Sequence, residues 1–208
     1  MTRRNEKPEI VRKLVIFSDI CSSTALVEDL KATDNLSNWL NLLIRLKQDL
    51  ISEGKNIGID MYKFVGDGWI LLAPYDIDRN TLFEFLYDFF CCFEIGLDGE
   101  NINELLSRRP KPMGLTFGSD SGDLIKLEMN EQVEYVGRPL NVAARLQGAA
   151  KQFCEPYGAV ALLSKSALAQ MRENPPGEDM RGILKQVTVP LKHVSGGQEI
   201  DCWRWEWA

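Results

Sequence analysis

Asp19 and Asp67 are the side chains best suited to chemistry. Asp19 closes the apolar run LVIFSD. Asp67 sits in YKFVGDGWILL, residues 62–72, where apolar residues flank a Val65-Gly66-Asp67-Gly68 turn. That pattern predicts a hairpin of two buried strands with a carboxylate at its tip. Turn aspartates commonly bond their own backbone, so either one alone is ordinary. Two strand-end carboxylates with small residues beside them can hold a divalent cation against a triphosphate. Ser22, Ser23 and Thr24 follow the first aspartate and offer caps for a helix. Free N–H groups at such an opening suit phosphate oxygens, although a plain strand–helix turn explains them as well. Asn141 and Arg145, in PLNVAARLQGAAKQF, stand four residues apart on one helix face. Singly, Asn141 reads as a cap or packing residue and Arg145 as half of a surface ion pair.

These groups need a scaffold, and the composition supplies one. A chain of 208 residues with 45% hydrophobic content predicts a single domain, residues 1–208, with an ample core. The net charge of −6 argues against a broad nucleic-acid footprint, so any phosphate-binding surface must be local. His193 is the sole histidine, which makes a His-rich metal site or a Ser-His-Asp triad improbable. Five cysteines, an odd number without metal-ligand spacing, predict reduced thiols in a cytoplasmic protein. The opening MTRRNEKPEI has charge but no apolar segment behind it, so no signal peptide is expected. No apolar run approaches bilayer-spanning length, so no membrane contact is expected either.

Along the chain, residues 10–18 read as a strand covered on both faces. Leu36, Trp39, Leu40, Leu43, Leu46 and Leu50 form a core-facing helical stripe. Residues 57–64 and 69–73 make the hairpin that carries Asp67. Residues 80–96 read as a broadly apolar helix, and 97–112 as a polar loop ending in Arg108-Arg109-Pro110-Lys111-Pro112. The run MGLTFGSDSGDLIKLEM reads as a second hairpin turning at residues 119–122, with Gly114 and Gly118 permitting a close backbone approach. A short strand, 133–136, precedes the helix that opens at Pro139. A strand over 159–163, a helix over 165–171 and a terminal hairpin, 182–190 with 200–207, complete the order. Trp203, Trp205 and Trp207 share one face of the last strand and read as core cover more readily than as a partner surface. The order implies an α/β (α+β) sheet layered with helices.

VIFSDICSST, YKFVGDGW and EYVGRPLNVAARL, in this order, resemble the catalytic domain of class III nucleotide cyclases over roughly residues 10–205. The resemblance implies a ferredoxin-like βαββαβ core with an extra terminal hairpin. It also implies a head-to-tail homodimer with active sites shared between subunits. Asp19 and Asp67, with the Ile20 carbonyl, would bind two Mn²⁺ or Mg²⁺ ions. Cys21, Ser22, Ser23, Thr24 and Lys192 would hold the phosphates, although a solvated hairpin lysine explains Lys192 equally. Asn141 would orient the ribose and Arg145 would steady the α-phosphate, both from the opposite subunit. The reaction implied is closure of a nucleoside triphosphate to its 3′,5′-cyclic monophosphate with release of pyrophosphate.

Lys63 matches the base-reading lysine of adenylate cyclases, but Glu134 stands where those enzymes carry aspartate. The Lys63/Glu134 pair suits adenine, uracil or cytosine, and the longer glutamate favours a smaller ring. The chain also resembles stand-alone bacterial Pycsar pyrimidine cyclases, which implies UTP before CTP, cyclic UMP as an antiphage second messenger, and a downstream cyclic-nucleotide-binding effector. An adenylate cyclase and a non-catalytic nucleotide-binding module are the competing expectations.

Overall fold

The centre of the molecule is β1 (Glu9–Ile20), whose run of apolar residues is buried on both sides. The computed structural model describes residues 8–154, 157–172, 182–191 and 199–207. After β1 come α1 (Ser23–Ala32), α2 (Leu36–Asn56), β2 (Asp60–Val65), β3 (Gly68–Pro74), α3 (Arg79–Gly99) and α4 (Ile102–Leu105). Then follow β4 (Met113–Met129), β5 (Gln132–Val136), α5 (Arg138–Ala150), β6 (Tyr157–Ser164), α6 (Lys165–Gln170), β7 (Ile183–Pro190) and β8 (Glu199–Glu206). Among the described residues the strands form one sheet in the order β2-β3-β1-β4-β6-β8-β7, with β5 paired to β4. β1 is antiparallel to both β3 and β4. The four strands β2-β3-β1-β4, with helices between β1 and β2 and between β3 and β4, are the ferredoxin-like core. β7 and β8 are the expected extra hairpin.

Alternation along β1 divides the core into two layers. Leu14, Ile16 and Ile20 face α1, α2 and α3, while Val15 faces α5 with Ile70, Leu72, Leu124 and Ala143. α3 is started by Asp78, whose side chain accepts from the Thr81 N–H at 2.9 Å. Trp205 is buried and stacks on Phe83 with ring centroids 4.0 Å apart. Trp203 and Trp207 pack beside it, so the tryptophans cover the core. No helix among the described residues is long and apolar enough to cross a membrane.

Four local expectations are corrected. β4 runs unbroken through residues 119–122, with Ser119 to Asp123 paired against Ile16 to Arg12 of β1. Two of its turn-like polar residues are satisfied inside the fold: Ser119 Oγ donates to the Val15 carbonyl at 3.1 Å, and buried Asp120 accepts from Ser164 Oγ at 2.5 Å. The hairpin turn lies instead at Asn130-Glu131, both in the left-handed region. β2 is an exposed edge strand, with Phe64 and Val65 open to solvent, and only β3 is buried. Leu40 points outward while Leu42 joins Trp39, Leu46 and Leu50 in the core. The 97–112 segment is also not all loop, because α3 continues to Gly99 and α4 follows.

Gly118 does permit a close approach. A Cβ there would overlap the Gln147 nitrogen and the Ala143 carbonyl oxygen of α5. The helix therefore lies directly on the β4 backbone.

Candidate active site

Asp19 stands at the end of β1 with Gly68 of β3 opposite it. Asp67 is the residue before Gly68, in a turn that Gly66 enters with φ +76°. A Cβ on Gly68 would overlap the Ser18 carbonyl oxygen, so only glycine lets β3 close here. The backbone thus brings the two carboxylates together at one end of the paired strands β1 and β3. Burial, the largest influence, pushes the Asp19 carboxyl above its ordinary range, and the charge of Asp67 adds to it. Lys151 and Gln147 pull it back down.

Lys151 Nζ lies 2.6 Å from Asp19 Oδ2, so the carboxylate is paired with an ammonium. Two neighbouring carboxylates, one of which already draws in a cationic side chain, fit a hard divalent cation. Among the described residues no third acidic, histidine or cysteine side chain joins them. Further oxygens must come from the backbone, water or a bound phosphate.

α1 opens directly beside this pair. Ser23 Oγ donates a short hydrogen bond to Asp67 Oδ2. Ser22 occupies the cap position in the left-handed region, but its hydroxyl donates to the Pro112 carbonyl at 2.7 Å instead of capping. Thr24 is exposed. No side chain caps the helix, so its first N–H groups stay available to an anion. Cys21 is buried, and its backbone N–H donates to the Gly114 carbonyl at 2.8 Å. Its Sγ lies 3.4 Å from Cys154 Sγ, a contact that holds the Cys21 thiol below its usual range.

Lys63 and Glu134 meet across the sheet face that carries α5, with Nζ 2.5 Å from Oε2. Tyr62 Oη donates to the same Oε2 at 2.5 Å and accepts the Tyr135 N–H at 3.0 Å. Neighbours in a regular strand point to opposite faces. The register of β2 shifts between Met61 and Lys63, and that irregularity lets Tyr62 and Lys63 reach one carboxylate. Lys63 draws the Glu134 carboxyl down and Tyr62 adds to the effect, while Glu134 draws the Lys63 ammonium up. The Tyr62 and Tyr135 rings pack edge to face, 5.2 Å between centroids.

Asn141 is exposed and Arg145 half-buried on α5. Lys151, the residue that meets Asp19, caps the other end of this helix. Asn141 and Arg145 precede it by ten and six residues, about 15 and 9 Å of helix rise. Within one chain, Asn141 is therefore at the far end of α5 from the carboxylates. Lys192 lies outside the described residues.

Lys151, Gln147 and Tyr62 as a partner of Glu134 were not legible as site residues. The one available signal was that Gln147 and Lys151 stand four apart on the helix that carries Asn141 and Arg145.

No family model and no curated protein matches the sequence. Solved structures do match. A bacterial light-regulated adenylyl cyclase superimposes over 97% of this chain with a TM-score of 0.69 at 15% identity. This chain spans about half, 53%, of that longer one. The guanylyl cyclase Cya2 matches 96% of this chain and 94% of its own, with a TM-score of 0.70 at 15% identity. The adenylyl cyclase CyaB from P. aeruginosa covers 95% of each chain, with a TM-score of 0.63 at 18% identity. The chain has the fold of the adenylyl and guanylyl cyclase catalytic domains.

Proposed function

We propose that this chain, a single catalytic domain over residues 1–208, is a nucleotide cyclase that converts UTP to cyclic UMP and pyrophosphate. The meeting of Asp19 and Asp67 beside the uncapped opening of α1 carries this reading. Asp19, Asp67 and the Ile20 carbonyl would hold two Mn²⁺ or Mg²⁺ ions. Such ions supply charge to the triphosphate and acidify the ribose 3′-hydroxyl. The N–H groups of residues 22–24 take phosphate oxygens, that of Cys21 being spent on the Gly114 carbonyl. The ribose 3′-oxygen attacks the α-phosphorus, the bond to the bridging oxygen breaks, and pyrophosphate leaves.

Asn141 orients the ribose, and the Arg145 guanidinium steadies the charge that builds on the α-phosphate. Both act on the site of the second subunit in a homodimer. The position of Asn141 near the end of α5 remote from Asp19 supports a shared site. By resemblance, Lys192 would hold the terminal phosphates.

Lys63 and Glu134 read the base. Lys63 and Tyr62 both occupy Glu134 Oε2, which leaves Oε1 to accept an N–H. Uracil presents N3–H to that oxygen and O4 to Lys63. The Tyr62 and Tyr135 rings narrow the space beside the pair and favour a pyrimidine over a purine. Adenine is the second reading, because two of the structural neighbours named above are adenylyl cyclases. With a pyrimidine product, the resemblance to Pycsar enzymes gives a cytoplasmic antiphage messenger read by a separate effector.

The test of base choice is competition: all four nucleoside triphosphates at equal concentration with Mn²⁺, products separated by mass. Cyclic UMP in excess supports uracil. Cyclic AMP in excess overturns it in favour of adenine.

A further inference from the structure

Two cysteines meet beside Asp19. Cys21 lies just past the end of β1, and Cys154 follows the single 3₁₀ turn, Lys151–Phe153, that extends α5. Cys21 Sγ donates to Cys154 Sγ at 3.4 Å. Neighbouring strands hold the two together. The Cys21 N–H donates to the Gly114 carbonyl of β4 at 2.8 Å, and Cys154 Sγ donates to the Gly158 carbonyl of β6 at 3.9 Å. Gly114 and Gly158 are partners in the β4–β6 register, so close that a Cβ on Gly114 would overlap the Gly158 carbonyl oxygen. Cys91, Cys92 and Cys202 make no such sulfur–sulfur contact among the described residues.

The two sulfurs differ in access. Cys21 is buried, with 2% exposure, whereas Cys154 is half-buried. A small oxidant therefore reaches Cys154 first and finds Cys21 already in place as the resolving thiol. We propose that Cys21 and Cys154 are an oxidation site, closed to a disulfide by hydrogen peroxide and reopened by a thiol reductant, and that the closed form weakens metal binding at Asp19. The effect on turnover rests on the nucleotide cyclase reading, and the oxidation itself does not. Disulfides in a reducing compartment are usually transient and redox-sensing, so this pair is compatible with reduced thiols elsewhere in the chain.

The Cys154 sulfur attacks the peroxide, the O–O bond breaks, a sulfenic acid forms and one water leaves. The Cys21 sulfur then attacks the sulfenic sulfur, the S–S bond forms as the S–O bond breaks, and a second water leaves. The two sulfurs together lose two electrons, the peroxide gains them, and both thiol protons end in water. Closure draws the sulfurs from 3.4 Å to about 2.05 Å. Cys21 is anchored to β4 through its N–H, so the 3₁₀ turn is the part that moves. That turn carries Lys151, whose Nζ already stands 2.6 Å from Asp19 Oδ2. The disulfide thus pins the ammonium on a carboxylate that a divalent cation needs.

The test treats the full chain with hydrogen peroxide, removes the peroxide, and maps the cysteines by peptide mass before calorimetric titration with Mn²⁺. A Cys21–Cys154 linkage should form, and dithiothreitol should remove it. The oxidised protein should bind Mn²⁺ at least about fivefold more weakly than the reduced one, the lower end of coupling between two sites. Reciprocally, saturating Mn²⁺ should shift the pair toward the thiols in a glutathione redox buffer. Cys154→Ser, treated alike, should form no linkage and keep its Mn²⁺ affinity and turnover. Reduction returns the same wild-type chain, so the main comparison does not depend on how the variant folds. No Cys21–Cys154 linkage, equal Mn²⁺ affinity in oxidised and reduced protein, or an equal loss in folded, peroxide-treated Cys154→Ser overturns the proposal. Linkage with weakened Mn²⁺ binding in a chain that makes no cyclic nucleotide would sink the cyclase reading alone. Cyclic nucleotide formed at one rate by reduced and oxidised protein would sink only the switch.

Discussion

Lys151 Nζ stands 2.6 Å from Asp19 Oδ2, pairing an ammonium with one of the two carboxylates that would hold a metal ion. Burial and the charge of Asp67 make Asp19 costly to ionise, and Lys151 offsets part of that cost. A divalent cation binding Asp19 has to displace the ammonium. Lys151→Met should therefore tighten Mn²⁺ binding up to about fivefold, matching the roughly 1 kcal/mol of a half-exposed ion pair. Calorimetric titration with Mn²⁺ checks this. Weaker binding in the variant would mean that Lys151 supports the metal site and does not compete for it.

The shared site makes a prediction about mixtures. Asp67→Ala and Arg145→Ala subunits should each be inactive alone. Mixed, they should regain part of the wild-type rate, because one of the two sites in a mixed dimer keeps both groups. The check is pyrophosphate release after mixing, with dimer formation followed by mass. Mixed dimers without recovered activity would contradict a site built from two chains.

Gly118→Ala should damage both stability and turnover. The new methyl would press on the Gln147 nitrogen and the Ala143 carbonyl, which are α5 backbone and cannot rotate away. Overpacking of this kind costs about 1–3 kcal/mol. It would also lift α5, and with it Asn141 and Arg145, from the sheet. Denaturant unfolding and product formation measure the two effects. A variant with native stability would contradict the close packing of α5 on β4.

Cys202 gives a pH prediction. Burial pushes its thiol from the ordinary 9.0 up to about 11, and the charge of Asp201 adds to the effect. Above pH 9 the unfolded thiol ionises while the folded one keeps its proton. The stability tied to Cys202 is therefore complete below the unfolded value and is lost as pH rises through the folded one. Comparing unfolding midpoints at pH about 8 and about 10.5, the fall should be smaller in Cys202→Ala than in the wild type. An identical fall in both would remove Cys202 as its source.

Much of this architecture could be read from residue order. The apolar run into Asp19 marks the buried central strand, Gly66 takes a positive φ, and Gly68 and the strand glycine Gly118 mark places where backbone passes so close to other backbone that only glycine fits. Ser119, Asp120 and Ser121 misled for the opposite reason. They are turn-type residues, but Ser119 bonds Val15 and Asp120 bonds Ser164 and Arg138, all remote in sequence, so local chemistry pointed to a turn that tertiary hydrogen bonds remove. The site followed the same rule. Lys63 and Glu134 carry a recognisable spacing, but Tyr62 reaches Glu134 only through the register shift in β2, which no local pattern encodes. Lys151 meets Asp19 only because α5 spans the sheet to the end of β1.

The central claim is that Asp19 and Asp67 make this chain a nucleotide cyclase. Its most direct test is incubation of purified protein with UTP and Mn²⁺, reading cyclic UMP and pyrophosphate by mass, beside Asp67→Ala under the same conditions. The account predicts equal amounts of both products from the wild type. It predicts at least a roughly hundredfold loss in the variant, in line with the several kcal/mol that metal charge contributes to a transition state. The variant should remain folded by its melting curve. No cyclic product from UTP, CTP, ATP or GTP, or full activity in folded Asp67→Ala, would contradict the claim.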